Sequence, residues 1–139
     1  MKFILNWVWQ LPQHLLALLL WGILRLAGRI ERVGYPGEFP GNVFITVRVK
    51  SWGVSLGRYI FLDVAYGKND RKHERGHSVQ SLWWGPLYLL AVGIPSAIGN
   101  NLWDRIFHKN WPAEKRIKWY YNRWPEKQAD ALGGAEREY

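Results

Sequence analysis

A chain of 139 residues is long enough for one domain with its own core and too short for two ordinary ones. It contains no cysteine, which excludes disulfides and thiolate metal sites, so any metal must be held by His, Asp or Glu. Nineteen Lys and Arg against eleven Asp and Glu leave a formal charge of +8, which favours anionic surfaces. Ten tryptophans turn that preference toward a membrane boundary rather than nucleic acid.

Residues 3–24 carry no formal charge and are about long enough to cross a bilayer of ~30 Å hydrocarbon thickness. Asn6, Gln10, Pro12, Gln13 and His14 interrupt the first half, and the dense stretch Leu15 to Leu24 alone is too short to cross. A tilted, interfacial or hairpin-paired helix therefore fits as well as a simple span. Arg25, Arg29 and Arg32 follow while only Lys2 precedes, so a crossing would leave the rest of the chain on the cytoplasmic side. Read as a cleaved signal peptide, the segment would have a single lysine for its positive region. The expected division is a membrane-associated helix with a basic flank over 1–33, a catalytic domain over 34–134 and a tail over 135–139.

Gly34 to Gly41 is rich in Gly and Pro and reads as a connector. Val43 to Val49 then alternates, with Val43, Ile45, Val47 and Val49 on one face and Phe44, Thr46 and Arg48 on the other, which is strand period. A second apolar run, Tyr59 to Tyr66, follows the break at Gly53 to Gly57. Together they predict a small antiparallel sheet and an α+β class.

Gly67-Lys68-Asn69-Asp70 supplies a helix start, and a helix is expected to run through His73 to about Trp84. Leu82 to Gly99 is almost wholly apolar but broken by Gly85-Pro86, Gly93, Pro95 and Gly99. These breaks argue for a re-entrant hairpin or a segment packed over the active site. Beyond Trp103 the chain is basic and aromatic, readable as a solvated helical face or as a lipid-binding surface.

The strongest chemical signal is His73-Glu74-Arg75-Gly76-His77. On a helix, positions i and i+4 share a face, so His73 and His77 can offer two imidazole nitrogens to one Zn²⁺ with Glu74 beside them as base. A catalytic zinc usually takes a third protein ligand, and Glu126 is the best candidate. Pro125 and Gly133-Gly134 frame a short helix that carries Glu126 and Asp130 one turn apart. Asp130 is then placed to accept a hydrogen bond from the far nitrogen of a ligand histidine. Gly76 costs about 1 kcal/mol relative to Ala inside a helix, and close approach of a second helix would explain it. Ala129 would leave room for that packing. Ser51 to Leu62 could offer an edge strand to an extended peptide. Gln80 reads as a helix residue near the site or a substrate contact. His14 and His108 read as ordinary histidines rather than metal ligands.

The pattern H-E-x-G-H followed by E-x-x-A-D resembles the gluzincin membrane metallopeptidases, among them the CaaX prenyl proteases and the bacterial heat-shock membrane protease. The run His77-Ser78-Val79-Gln80-Ser81, then Gly85-Pro86-Leu87-Tyr88-Leu89 and Gly93-Ile94-Pro95-Ser96, is also similar to small bacterial proteins with the same landmarks. The resemblance covers about Ser55 to Gly134, in a chain far shorter than the gluzincin enzymes. It implies His73, His77 and Glu126 as zinc ligands, Glu74 as the base that activates water, and Asp130 as an outer residue. The implied reaction is hydrolysis of a peptide or protein substrate beside a membrane, with Tyr120, Tyr121 or His108 as candidate donors to the oxyanion. Two other readings compete. One is a non-catalytic membrane protein with a structural zinc. The other is a nucleic-acid binder using the basic C-terminal half, which would show steep salt dependence.

Overall fold

The alternation between Val43 and Val49 resolves into a strand with two buried faces, and the rest of the chain is built around it. The computed structural model describes residues 1–138 as an α+β fold of six α-helices and one four-stranded sheet. The strands are β1 (Ile30–Gly34), β2 (Val43–Val47), β3 (Gly53–Leu56) and β4 (Tyr59–Asp63), in the order β1-β2-β4-β3. Val43, Ile45 and Val47 meet Leu56 and Phe61 on one face, under Ala17 and Leu24 of the N-terminal helical segment. Phe44 joins Ile60 and Leu62 on the other, against Phe39 and Tyr66.

The sheet is mixed, which corrects the expected antiparallel arrangement. β1 with β2 and β3 with β4 are antiparallel, but β2 and β4 run parallel, with Val43 beside Tyr59 and Ile45 beside Phe61. The cause is β3. The chain runs to the outer edge before turning at Gly57, so the inner arm of the β3–β4 hairpin enters beside β2 in the same direction. A period-2 pattern specifies faces, not strand direction.

The apolar N-terminal segment does not form one long helix. It breaks at Gln10 into α1 (Lys2–Trp9) and α2 (Leu11–Leu26), bent by 80°, and among the described residues no single helix is long and apolar enough to cross a membrane. The boundary expected after residue 33 falls inside β1, whose Ile30 and Val33 pack against the same core as α2.

α3 (Lys68–Trp84) begins where the Asp70 carboxylate accepts the Gly67 N–H at 2.9 Å, a carboxylate placed at a helix start. It lies across the sheet face opposite α2, tied there by the Ser78 hydroxyl, which donates to the Gly57 carbonyl and accepts from the Asn42 amide, both at 2.7 Å. The expected re-entrant hairpin is absent. Gly85 to Phe107 is instead a continuous helical rod: a 3₁₀ turn at Gly85–Leu87, π-type turns over Leu89–Gly93 and Pro95–Leu102, then α4 (Trp103–Phe107). Pro95 has no N–H to give to the preceding turn, and the ladder accommodates the loss by loosening rather than reversing.

α5 (Ala113–Tyr121) leads to α6 (Glu126–Gly133), which ends at Gly134 in the left-handed region at φ +73. α6 lies on α3 at backbone contact. A Cβ on Gly76 would come within 1.8 Å of the Ala129 carbonyl oxygen, and one on Gly133 within 1.7 Å of the Lys72 carbonyl oxygen. The chain beyond Gly134 is docked rather than a free tail. Glu136 exchanges two hydrogen bonds with the Asn69 amide, and Arg137 reaches Asp130. Tyr139, the last residue of the expected tail, lies outside the described residues.

Candidate metal centre

One turn of α3 places His73 and His77 on the face that meets α6, and the first residue of α6 is Glu126. All three are buried. The Nε2 atoms of His73 and His77 lie 3.1 Å and 3.0 Å from the same oxygen, Glu126 Oε2. The group His73, His77 and Glu126 is thus able to hold a metal ion, each residue offering one ligand atom within 4.8 Å of the others.

The partners of the remaining atoms decide what this cluster needs. His73 Nδ1 is 2.7 Å from Asp130 Oδ1, one turn after Glu126, and His77 Nδ1 is 2.8 Å from the Gln80 side-chain oxygen. The Gln80 amide nitrogen is committed to the Pro125 carbonyl at 3.0 Å and to Gln128 at 2.9 Å, which orients its oxygen toward the ring. Both imidazoles therefore carry a hydrogen on Nδ1 and, when neutral, point an Nε2 lone pair at a carboxylate oxygen. Three acceptors facing one another are stable only around protons or a cation. Glu126 Oε1 is occupied separately by the Ser96 hydroxyl at 2.5 Å and the Asn100 amide at 3.4 Å, which leaves Oε2 for the cluster.

The titration of these groups follows from the same contacts. Burial would lower the pKa of His73, but hydrogen bonds from Asp130 and Glu126 outweigh it and raise the pKa to about 9. Burial would raise the pKa of Glu126, but bonding and charge from His73 and His77 hold it far below the usual carboxylate range. Asp130 is likewise lowered, against burial, by His73 and by Arg137. Without a metal, protons supply the missing positive charge; nitrogen and carboxylate donors of this kind suit a borderline divalent cation equally well.

Glu74 lies beside the cluster on the side away from α6. The Ser55 hydroxyl lies 2.7 Å from Glu74 Oε2 and 2.6 Å from the Glu74 main-chain carbonyl, and a Cβ on Gly53 would sit 2.9 Å from Glu74 Oε1. Ser55 and Gly53 belong to β3, an edge strand of the sheet. The Asp63 N–H donates to the Trp52 carbonyl, so the main-chain groups of Gly53 and Ser55, in alternate register, turn outward. The Ser55 carbonyl is taken by the Tyr88 hydroxyl at 3.1 Å, while no other described main-chain group pairs with Gly53 across this edge. Two lobes of a cleft, of about 510 and 530 Å³, meet here, and both are lined by Gly53, His73, Glu74 and Tyr120.

The three candidate oxyanion donors separate clearly. Tyr120 lines both lobes, Tyr121 sets its ring edge-on to His73 at 5.1 Å and lines one, and burial raises the pKa of both, which keeps them protonated. His108 is not brought to the cleft. It is stacked on Trp111 at 3.7 Å with Nδ1 3.2 Å from Asp104, so that candidate is corrected. His14 is buried between the Trp7 carbonyl and the Arg58 N–H, away from the cluster. Four residues that hold the site were not singled out for that role: Ser55, Tyr88, Ser96 and Asn100. Ser96 and Asn100 are spaced by four, a helical interval, at the end of the apolar run. The chain matches no family model, no curated protein and no solved structure.

Proposed function

We propose that this protein is a zinc-dependent hydrolase acting on peptide bonds, with His73, His77 and Glu126 as the metal ligands and Glu74 as the base. The observation that carries this reading is the convergence of two lone-pair-bearing Nε2 atoms and one free carboxylate oxygen beside a cleft. Three protein ligands next to open space are the composition of a catalytic rather than a closed structural site. A bound zinc would supply Lewis acidity and lower the pKa of a coordinated water toward ~7.

The chain's own residues would do the rest. Asp130 and Gln80 hold the two rings in the tautomer that presents Nε2, and Ser96 with Asn100 fixes which Glu126 oxygen is free. Glu74, held by Ser55, is placed to take a proton from water and return it to the leaving amine. The outward main-chain groups of Gly53 can pair with an extended substrate. Tyr120 is the residue best placed to donate a hydrogen bond to the developing oxyanion. The competing structural-zinc reading shares the metal but not the turnover.

The test measures metal by mass spectrometry and hydrolysis of a quenched-fluorescence peptide library. The expected result is close to one zinc per chain, cleavage by the native protein, and Glu74→Gln protein that keeps its metal without cleaving. Metal-free protein from a zinc-replete preparation would refute the reading, and zinc without cleavage would leave the structural role in its place.

A further inference from the structure

A helix in contact with water buries its apolar stripe and exposes its polar one. α2 departs from this: its inner face buries polar residues beside Ala17 and Leu24, and its outer face is apolar as well. The polar part of its buried face is Gln13 and His14, preceded by Gln10, and each makes hydrogen bonds within the protein. The Gln13 amide donates to Ser81 and to the Gly85 carbonyl, the Ser81 hydroxyl donates to Gln10, and His14 accepts the Arg58 N–H. The outward face includes Leu15, Leu16, Leu18, Leu19, Ile23 and Leu26.

The rod over 85–107 follows the same pattern: Tyr88 and Val92 are buried, but further along the inner row becomes polar while the outer row stays apolar. Asn100, Asp104 and His108 turn inward at intervals of four, while Leu90, Ile94, Ile98, Leu102 and Ile106 are exposed at the same interval. Apart from Tyr35, Val64, Ile117 and Trp124, every exposed large hydrophobic side chain of the described residues lies within 1–26 or 82–107. The two stretches adjoin. The Trp9 indole N–H donates to the Leu82 carbonyl at 2.9 Å, and a Cβ on Gly85 would come within 2.1 Å of that ring.

We propose that these two stretches together form a seat in one leaflet of a lipid bilayer, without a crossing. Helix α2 has 16 residues and rises about 24 Å, short of the ~30 Å hydrocarbon core, and the 80° bend to α1 prevents the pair from acting as one rod. Lys2, Arg25 and Arg29 flank the apolar segment, and among the described residues none has a carboxylate within the 4.0 Å of an ion pair. That charge fits an anionic headgroup layer. A partner protein surface would explain the apolar faces but not the unpaired cations at the ends of the N-terminal stretch. Leu89, Gly93, Ala97 and Leu102 also line the cleft, so the rod borders both the proposed lipid and the cleft. The seat stands whether or not the site hydrolyses anything.

The absence of cysteine allows a direct test on the full chain. Single-cysteine variants Leu19→Cys, Ile98→Cys and, as a distant exposed control, Val64→Cys would be labelled with an environment-sensitive dye. They would then be mixed with vesicles of phosphatidylcholine and phosphatidylglycerol, with and without acyl-chain nitroxide lipid. The expected result is flotation with the vesicles, with blue-shifted and quenched labels at positions 19 and 98 and no change at 64. The pair Leu19→Glu with Ile98→Glu should lower the vesicle-bound fraction at least about tenfold with unchanged circular dichroism. Failure to float, as a monomer or as a dimer in which the 19 and 98 labels are already shielded, would overturn the proposal. So would labels at Leu5→Cys and Leu26→Cys reached by aqueous quencher from opposite sides of the vesicle.

Discussion

The sheet and α2 meet through carbon, whereas α3 and α6 meet through nitrogen and oxygen. In the first interface Ala17, Leu24, Ile45, Val47 and Phe61 are buried together, and removal of apolar area from water stabilises the contact. In the second, the buried residues include His73, His77, Gln80, Glu126 and Asp130, and the helices touch by backbone at Gly76 and Ala129. Burying ionisable groups opposes folding unless each is paired. One interface therefore carries stability and the other holds an arrangement whose stability depends on what occupies it. Four perturbations separate the two.

The largest effect belongs to the carbon interface. Phe61→Ala should cost about 3–5 kcal/mol, measured by urea unfolding, with the same cost whether or not metal is present. A loss that depended on metal would show that the two interfaces are not independent. Next is Gly76→Ala. The added Cβ has to push the Ala129 carbonyl away, at about 1–3 kcal/mol, and it should weaken zinc binding as well because α6 carries Glu126.

Smaller and more discriminating is the pair Asp130→Asn and Gln80→Ala. His73 leans on a carboxylate and His77 on an amide, so Asp130→Asn should lower zinc affinity by about 10–100-fold, and Gln80→Ala by less. Competition titration with a chromophoric chelator reads both, and equal losses would mean that the charge on Asp130 is irrelevant.

The smallest effect is the pH dependence of the metal-free protein. The His73 pKa is raised from 6.5 to about 9, so its stabilisation is fully present below pH 6.5 and disappears as pH rises through about 9. Glu126 and Asp130 are lowered from 4.5 and 3.8, so theirs is present above those values and disappears as pH falls toward the depressed folded values. Melting temperature in chelator should accordingly be highest between about pH 4.5 and 6.5. With zinc the optimum should move upward, because binding requires neutral imidazoles. A chelated profile that is flat from pH 5 to about 9 would contradict the ion pairing.

Much of this arrangement was legible in the residues, and the reasons are local. α3 and α6 announce themselves by Asp70 at one start and Gly133-Gly134 at the other end, and the i, i+4 rule alone puts His73 and His77 on one face. The two faces of β2 follow from alternation. Strand direction does not, because the parallel pairing of β2 with β4 is set by where β3 lies. β1 is hidden among arginines that read as a membrane flank, while the stretch holding β3 reads both as a Gly-bounded break and as part of an edge strand. For the rod over 85–107 the residues leave open a hairpin or a segment packed over the site, because Gly and Pro mark interruption without saying whether the chain turns back or only unwinds. Ser96 and Asn100 on Glu126 match the second. Ser55, Ser96 and Asn100 acquire their roles only through contacts distant in sequence.

The double backbone contact between α3 and α6 has a mechanical outcome. A rigid body pinned at two places, here Gly76 on Ala129 and Gly133 on Lys72, retains only rotation about the line through both pins. Ser96 and Asn100, reaching Glu126 from a third element, act as a brake on that remaining freedom. The Glu126 carboxylate is thus located by the main chain and trimmed by side chains.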